Sequence, residues 1–506
     1  MRFELDGRLT LSADATAVAT DIAAFLEEAN ATVLAKGAAS GEGARIVSHE
    51  IKGNEILLEV ASSGRVRAHE ALLRTRKLLA ERLGKKHRIG VRDTIIEEYR
   101  VTFPLEKPVV HGFTVPFAHA LRFDGLECTL ELRDVSDEII ENNYIDRMIK
   151  LVKDKVSAQH YEGKGEHHET LWASPEKKPA WDRDPTEAML EKEWLKQGPT
   201  KGKWVFRPPM AAILRAMERI AVEEVLLPLG FQEMMIPHHE SFDVTLKTGH
   251  IHGVPNEVYY VCEPRTRDAA AWEPFVDIVK VTKKVPEKEL MQRLSPPTAT
   301  ISYAQCPNIY WSFSGKTLAD ASLPVRVFDR AVVSNRYESG GRHGIERVDE
   351  FHRIEPVYIG TREQLLELRE KLIERYKRVF NDILELEWRM AWVTPFFMAQ
   401  EGRLGLAEEG PKHELGTIDF EAWMPYRGTR KDSEWLEFQN LSIVGDKYAS
   451  AFNIKGQKAE LWSGCSGIGL ERWSVAFLAQ KGLDPDAWPK GFRKWLPELP
   501  KAFQFL

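Results

Sequence analysis

The stretch Asn335-Arg-Tyr-Glu-Ser-Gly-Gly-Arg-His-Gly-Ile-Glu-Arg-Val-Asp-Glu-Phe-His-Arg-Ile-Glu355 decides how this chain is read. An apolar run from Val325 to Val333 precedes it and reads as a buried strand. A polar loop with three glycines follows, and the chain returns as a second strand, Phe351 to Ile359. This pattern predicts a hairpin with a long, charged tip. Arg336 and Glu338 stand two apart and so share a face of the outgoing strand, while Arg347, Arg353 and Glu355 lie on the return. Opposite charges on one face can simply pair. Guanidinium forks around a glycine loop suit a polyanion better, because their geometry matches phosphate oxygens.

The rest of the chain is long enough to surround such a site. Its 506 residues predict roughly three domains on the length prior. Charged residues at 29% and hydrophobic ones at 43% describe an ordinary globular composition. A formal charge of -6 gives no overall attraction to nucleic acid, so any such contact must come from a local patch. Cys128, Cys262, Cys306 and Cys465 are widely spaced and make no disulfide framework, which predicts a reducing, cytoplasmic setting. No apolar run reaches the roughly 18 residues of a membrane span, so no membrane partner is expected.

On the N-terminal side, Phe3 to Leu11 alternates around Asp6-Gly7, a hairpin signal. A helix from Asp14 to about Asn30 follows, then hairpins around Gly53-Asn54 and Asp124-Gly125. Ser136 to Gln159 has the spacing of one long amphipathic helix. These elements predict an α+β module over 1–159 with a largely antiparallel sheet. Inside it, Arg65 to Arg92 carries ten cations opposed only by Glu70 and Glu81, with Leu72, Leu79 and Leu83 as an inward stripe. That is either a solvated helix face or a contact for a phosphate backbone. Residues 160–203, rich in Lys, Glu, Gly and Pro, read as a linker, and composition favours that over a metal site at His160, His167 and His168.

The third region, 204–506, holds the opening hairpin. Pro208-Pro209 can open a helix that runs from Met210 to Leu227, and Phe231 to Ile236 reads as a strand ended by Pro237. Thr361 and Gln364 have capping-box spacing before a helix to about Leu386. Glu437 and Asn440 are two oxygen donors three apart, which suits a Mg²⁺–phosphate complex. Gly464-Cys-Ser-Gly-Ile-Gly-Leu-Glu-Arg472 is a glycine-rich strand leading into a helix, where glycines let a ligand approach the backbone.

Taken in order, the Pro237 unit, Arg336-Tyr-Glu338 with Arg347 and Phe351, and Gly467-Ile-Gly-Leu-Glu-Arg472 resemble motifs 1, 2 and 3 of the class II aminoacyl-tRNA synthetases. Ala304-Gln-Cys306, Arg353-Ile-Glu355, Glu437 with Asn440, and Gly464-Cys465 narrow the resemblance to the atypical, zinc-dependent seryl-tRNA synthetases of methanogenic archaea. The resemblance spans essentially the whole chain. It implies an α+β protein: a class II synthetase antiparallel sheet flanked by helices, behind an N-terminal α+β tRNA-binding domain. It implies ATP-dependent activation of L-serine and transfer to serine tRNA, with selenocysteine tRNA as a further candidate acceptor.

Residue roles follow from the same resemblance. Arg336, Glu338 and Arg472 would be catalytic. ATP would meet Arg336 at its α-phosphate, Glu338 at the adenine end, Arg347 at the terminal phosphates, and Val348, Phe351 and Arg472 around the base. Glu437 would hold the Mg²⁺ that accompanies ATP. Serine would contact Ala304, Arg336, Arg353, Ile354, Glu355 and Asn440. Cys306, Glu355 and Cys465 would bind one Zn²⁺ per subunit with a fourth position open for the serine amine. Unaided by the resemblance, both cysteines read as buried small hydrophobes. Arg74, Arg76 and Lys77 are candidates for tRNA contact, Pro237 for the edge of a homodimer interface, and Thr394 to Gly410 for a lid near the serine pocket or a plain surface loop. Two rivals are kept: an amino acid:carrier-protein ligase, which would lack the N-terminal module, and a catalytically inactive, synthetase-like RNA-binding regulator.

Overall fold

The computed structural model describes residues 1–34, 43–64, 66–160, 168–338, 341–393 and 413–505. Arg65, His167 and the lid candidate 394–410 lie outside the described residues. The chain forms two compact units, Met1–Lys164 and Gly165–Leu506. Among the described residues, no helix is long and apolar enough to cross a membrane.

The first unit is built on six antiparallel strands: β1 (Arg2–Leu11), β2 (Ala44–Lys52), β3 (Glu55–Ser63), β4 (Val91–Pro104), β5 (Ala120–Asp124) and β6 (Glu127–Val135). Their order is β2-β3-β1-β4-β6-β5. Helices α1 (Ala19–Ala31) and α2 (Ala68–His87) bury Ile22, Phe25, Leu72, Leu79 and Leu83 in one core with Phe3, Leu5 and Leu9. Each such side chain contributes roughly 1.5–3 kcal/mol by leaving water. The hairpins at Gly53-Asn54 and Asp124-Gly125 form as expected, with both glycines at positive φ (58° and 57°). Asp6-Gly7, however, is no hairpin. Strand β1 runs straight through it, because Gly7 lies on the buried face beneath α2, where a Cβ would come within 2.8 Å of Leu72. Packing overrides the turn signal there. The single helix expected over Ser136–Gln159 is likewise two, α3 (Asp137–Glu141) and α4 (Tyr144–Gln159), broken where Asn143 adopts φ 54°.

The second unit holds a nine-stranded sheet. Its strands are β7 (His168–Ala173), β8 (Gln232–Glu233), β9 (Val325–Asp329), β10 (Val333–Asn335), β11 (Glu350–Gly360), β12 (Trp388–Val393), β13 (Gly416–Ala422), β14 (Leu436–Ile443) and β15 (Trp462–Gly469). The order is β8-β9-β11-β15-β14-β13-β12-β7, with β10 also on β11, and only the β8–β9 pair is parallel. Helices α5 (Pro208–Ile220), α7 (Arg362–Arg378) and α8 (Leu470–Lys481) share one core with Ile354, Tyr358, Phe420, Phe438 and Ile468 of the sheet; α6 (Cys306–Ser312) is a short helix of a second core. The capping box at Thr361 and Gln364 forms in full.

Two expectations shift. Residues 168–203 are not a free linker: β7 pairs with β12, Asp184 caps a helix over Pro185–Glu191, and Met189 and Trp194 enter the core. A few large apolar anchors among many charges were enough to dock the segment. The strand expected at Phe231–Ile236 shrinks to β8, since the helix before it continues through a π turn to Gly230 at φ 75°.

Candidate active site

Strand alternation decides what reaches the open face of the large sheet. Along β11, Ile354 and Tyr358 enter the core, while Arg353 and Glu355 line a cavity of about 830 Å³. The side chain of Ile354, a residue expected to contact serine, points into the core. Ladder register sets the floor in rows. One row runs Gly467, Asn440, Asp419, Ala391 across β15, β14, β13 and β12. Another runs Cys465, Ser442, Thr417, Val393, and a third runs Glu437, Glu421, Arg389. Ala304, Cys306, Arg336, Glu338, Arg347, Glu437, Asn440 and Arg472 all line this cavity, and Val348 and Phe351 line a small pocket beside it with Arg336, Glu338 and Arg472.

The charged hairpin supplies one wall. Arg336 lies over Phe351 at 5.4 Å and over Tyr303 at 5.5 Å, with Glu338 3.4 Å away. Burial works against its charge, but Tyr303, Glu338 and Glu437 outweigh burial and hold its pKa above the ordinary value. The loop is tied down by Asp349, fully buried. That carboxylate accepts from Arg342 (2.7 Å), Tyr259 (2.9 Å) and the Glu338 amide (3.2 Å). Arg347 meets Glu434, and Arg472 donates to the Glu437 carboxylate at 2.9 Å and to the Glu346 carbonyl at 3.0 Å. These cations meet carboxylates and carbonyls at the cavity edge, acceptors that a phosphate can replace with a bidentate contact.

At the other end of the cavity, ligand atoms of Cys306, Glu355 and Cys465 lie within 4.8 Å of one another, the only such group among the described residues. Cys306 opens α6 and Cys465 lies opposite Val357 on β11. Glu355 is fully buried; Arg353 touches it, yet neither carboxylate oxygen receives a well-directed hydrogen bond. Burial raises the Glu355 pKa, with Arg353 and the two thiols pulling the other way. The Cys306 thiol is held above its usual range, first by its hydrogen bond to Cys465, then by burial and by the nearby Cys465 and Glu355 charges. Two thiols and an unsatisfied carboxylate in a buried cluster are a donor set that a tetrahedral divalent cation completes. Gly467 makes room for this, since a Cβ there would meet the Arg353 guanidinium at 2.3 Å.

Several lining residues had no sequence signal. Tyr303 donates to Glu257 at 2.9 Å and accepts from Arg336 at 3.4 Å. His250, pushed down to about 4 by burial and then by the nearby Lys447, Arg353 and His252, packs at a tilt against Tyr303 with ring centres 5.2 Å apart. Only long-range folding brings them in. Of the histidines weighed as a metal site, His160 Nε2 donates to the Pro108 carbonyl at 2.6 Å and His168 Nε2 contacts Glu421 at 2.9 Å. In the first unit, Arg67, Arg82 and Lys86 of the cationic run pair with Asp146, Glu28 and Asp21. Arg74 is exposed and 4.0 Å from Glu70, while Arg76 and Lys77 form no ion pair among the described residues.

Comparison with known proteins adds to this geometry. Residues 1–154 match a family model described as a tRNA-binding domain. The chain is 46% identical to a type-2 serine–tRNA ligase of Methanothrix thermoacetophila, covering 100% of both chains. It is equally 46% identical to that of Methanococcoides burtonii, again over 100% of both. Among solved structures, it resembles Methanopyrus kandleri seryl-tRNA synthetase, crystallised with a selenocysteine tRNA of A. aeolicus, with a TM-score of 0.88 and 31% identity over 100% of this chain and 99% of that one.

A pH test follows from the hairpin's anchor on α8. Buried Glu471 accepts from the His352 amide at 3.0 Å and from its ring Nδ1 at 2.7 Å. The Glu471 hydrogen bond raises the His352 pKa, against the effect of burial. A raised pKa means the pair stabilises fully below the unfolded value of about 6.5 and less as pH rises through the folded value. The gap in urea-unfolding stability between wild type and His352→Gln should therefore shrink from about pH 6 to about pH 9. A gap that stays constant across that range contradicts the assignment.

Proposed function

The chain belongs to the type-2 serine–tRNA ligases, class II aminoacyl-tRNA synthetases, and on that premise we propose that its buried Cys306–Glu355–Cys465 cluster holds one zinc ion per subunit, which takes the amino group of L-serine during activation by ATP. The observation that carries this is Glu355, a fully buried carboxylate with no well-directed hydrogen bond, beside two thiols. When bound, zinc supplies a Lewis-acidic fourth position that fixes the serine nitrogen.

The chain's own residues do the rest. Arg336 holds the serine carboxylate against the ATP α-phosphate, so that the carboxylate attacks in line and the charge that develops is already met. Its ring contacts with Phe351 and Tyr303 keep the guanidinium flat and in place. Phe351 and Arg472 take the two faces of adenine, Val348 lines its pocket, and Glu338 reaches its edge. Arg347 exchanges Glu434 for the terminal phosphates. Mg²⁺ accompanies ATP in a synthetase of this class, and Glu437 is the carboxylate that would hold it. Ala304 and Asn440 border the serine end, and Arg353, across Gly467, offsets the charge of the metal cluster. An extra methyl is worth only about 1–3 kcal/mol to an apolar pocket. An amine fixed at a rigid position turns the same methyl of threonine into a clash, so zinc serves selectivity as well as binding.

The acceptor is serine tRNA, held by the first unit through Arg74, Arg76 and Lys77, and selenocysteine tRNA is a second acceptor of the same shape. Support for the latter is the selenocysteine tRNA seen on the M. kandleri relative. The domain division we propose is a tRNA-binding domain over 1–159 and a catalytic domain over 204–506, with 168–203 built into the catalytic unit. The enzyme acts as a homodimer in the cytoplasm. Leu227 and Met235, apolar yet exposed near Pro237, support an interface there. A carrier-protein ligase would lack the N-terminal module, which is present and matches a tRNA-binding family.

Two experiments test this. Purified protein should contain about one zinc per chain by metal analysis, and Cys306→Ser should lose both the metal and serine-dependent exchange of pyrophosphate into ATP. Full exchange, with serine and not threonine, in protein stripped of zinc would end the proposal. Replacing Arg74, Arg76 and Lys77 together by Gln should raise the KM for tRNA about tenfold or more and flatten its salt dependence, with exchange untouched. An equal fall in both activities would argue against a tRNA role for these residues.

A further inference from the structure

The floor of the cavity is wider than ATP and serine require. The sheet residues proposed to bind them stand on β11, β15 and β14, with others on the hairpin, α6 and α8. The same floor continues over β13 and β12, where the row from Glu437 passes through Glu421 to Arg389. At about 4.8 Å per strand, Arg389 is roughly 10 Å from Glu437, the carboxylate proposed to hold the Mg²⁺ of ATP. The guanidinium of Arg389 lies over the Trp435 indole, 4.4 Å from its centre. Its charge is compensated by Glu421 at 2.5 Å, and Glu421 is shared with His168 at 2.9 Å. All four side chains line the cavity.

Transfer imposes a demand that activation does not. A second nucleoside, the terminal adenosine of the tRNA, must enter while the adenylate's own base stays in its pocket. Its hydroxyl oxygen then bonds to the serine carbonyl carbon, the bond from that carbon to the phosphate oxygen breaks, and the hydroxyl proton leaves with AMP. We infer that the Trp435–Arg389 wing is the subsite for this terminal nucleoside: the indole stacks with the base, and Arg389, released from Glu421, takes the adjoining phosphodiester. An aromatic face beside a cation is the combination that holds single-stranded nucleic acid. The assignment rests on the serine–tRNA ligase reading and extends it to the second half-reaction. A plain brace for the edge of the sheet is the competing role.

The test uses the full-length protein and three variants, W435A, W435F and R389Q. Serine-dependent pyrophosphate exchange is compared with single-turnover transfer from preformed seryl-adenylate to serine tRNA. Transfer should fall at least about tenfold in W435A and R389Q, the loss of one stacking or phosphate contact, and recover in W435F, with exchange within about twofold of wild type throughout. Intact tRNA should bind W435A more weakly than wild type, whereas tRNA lacking its terminal adenosine should bind both alike. Exchange falling in step with transfer marks a brace or a part of the ATP site and overturns the inference, as does unchanged transfer. R389Q carries the test if W435A does not fold. A wild type without exchange fails the underlying ligase reading instead, so the two failures are distinct.

Discussion

A buried carboxylate with no well-directed hydrogen bond, beside two thiols, is the constraint on which this catalytic unit turns. Burying Glu355 without a well-directed hydrogen bond costs free energy, and the contact with Arg353 and the two thiols offsets that only in part, since its pKa stays raised. The surrounding sheet is arranged to keep this cluster together. Gly467 opens the space that Arg353 crosses, and Tyr358 donates to the Ser442 carbonyl at 2.7 Å and the Cys465 carbonyl at 3.1 Å, tying three strands around it. On the proposed reading, a bound cation offsets this cost.

The hairpin that carries Glu355 also carries Arg336 and Arg347, the charges proposed to face phosphate. Asp349 and Glu471, both buried, hold its loop and its return strand, so Arg336 and Glu355 sit on one rigid element. On the proposed reading, one hairpin therefore fixes the distance between the serine amine and the ATP α-phosphate. Preorganisation of this kind lowers an in-line barrier without motion at the moment of reaction.

Much of this was legible in the sequence, for physical reasons that differ by residue. Alternation and glycine punctuation located the hairpin, its return strand and the two other hairpins, because local backbone preferences and burial agree there. Only the resemblance to a known family grouped Cys306, Glu355 and Cys465, because nothing local to either cysteine distinguishes it from a core residue. Gly7 misled, since the helix that packs on it is over sixty residues away. The tryptophans of 168–203 were hidden by the charges around them, and the side chain of Ile354 follows strand alternation into the core rather than its neighbours. Tyr303, Glu257 and His250 gave no signal at all; their partners are set only once the chain has folded.

The central claim, that serine binds through a metal held by two thiolates and one carboxylate, is tested most directly by zinc K-edge absorption spectroscopy. Without serine, the account predicts two sulfur ligands at about 2.3 Å and light-atom ligands at about 2.0–2.2 Å. Adding serine should replace a water by nitrogen and alter the edge, and threonine should not. A zinc environment that ignores serine, or one without two sulfurs, would contradict it.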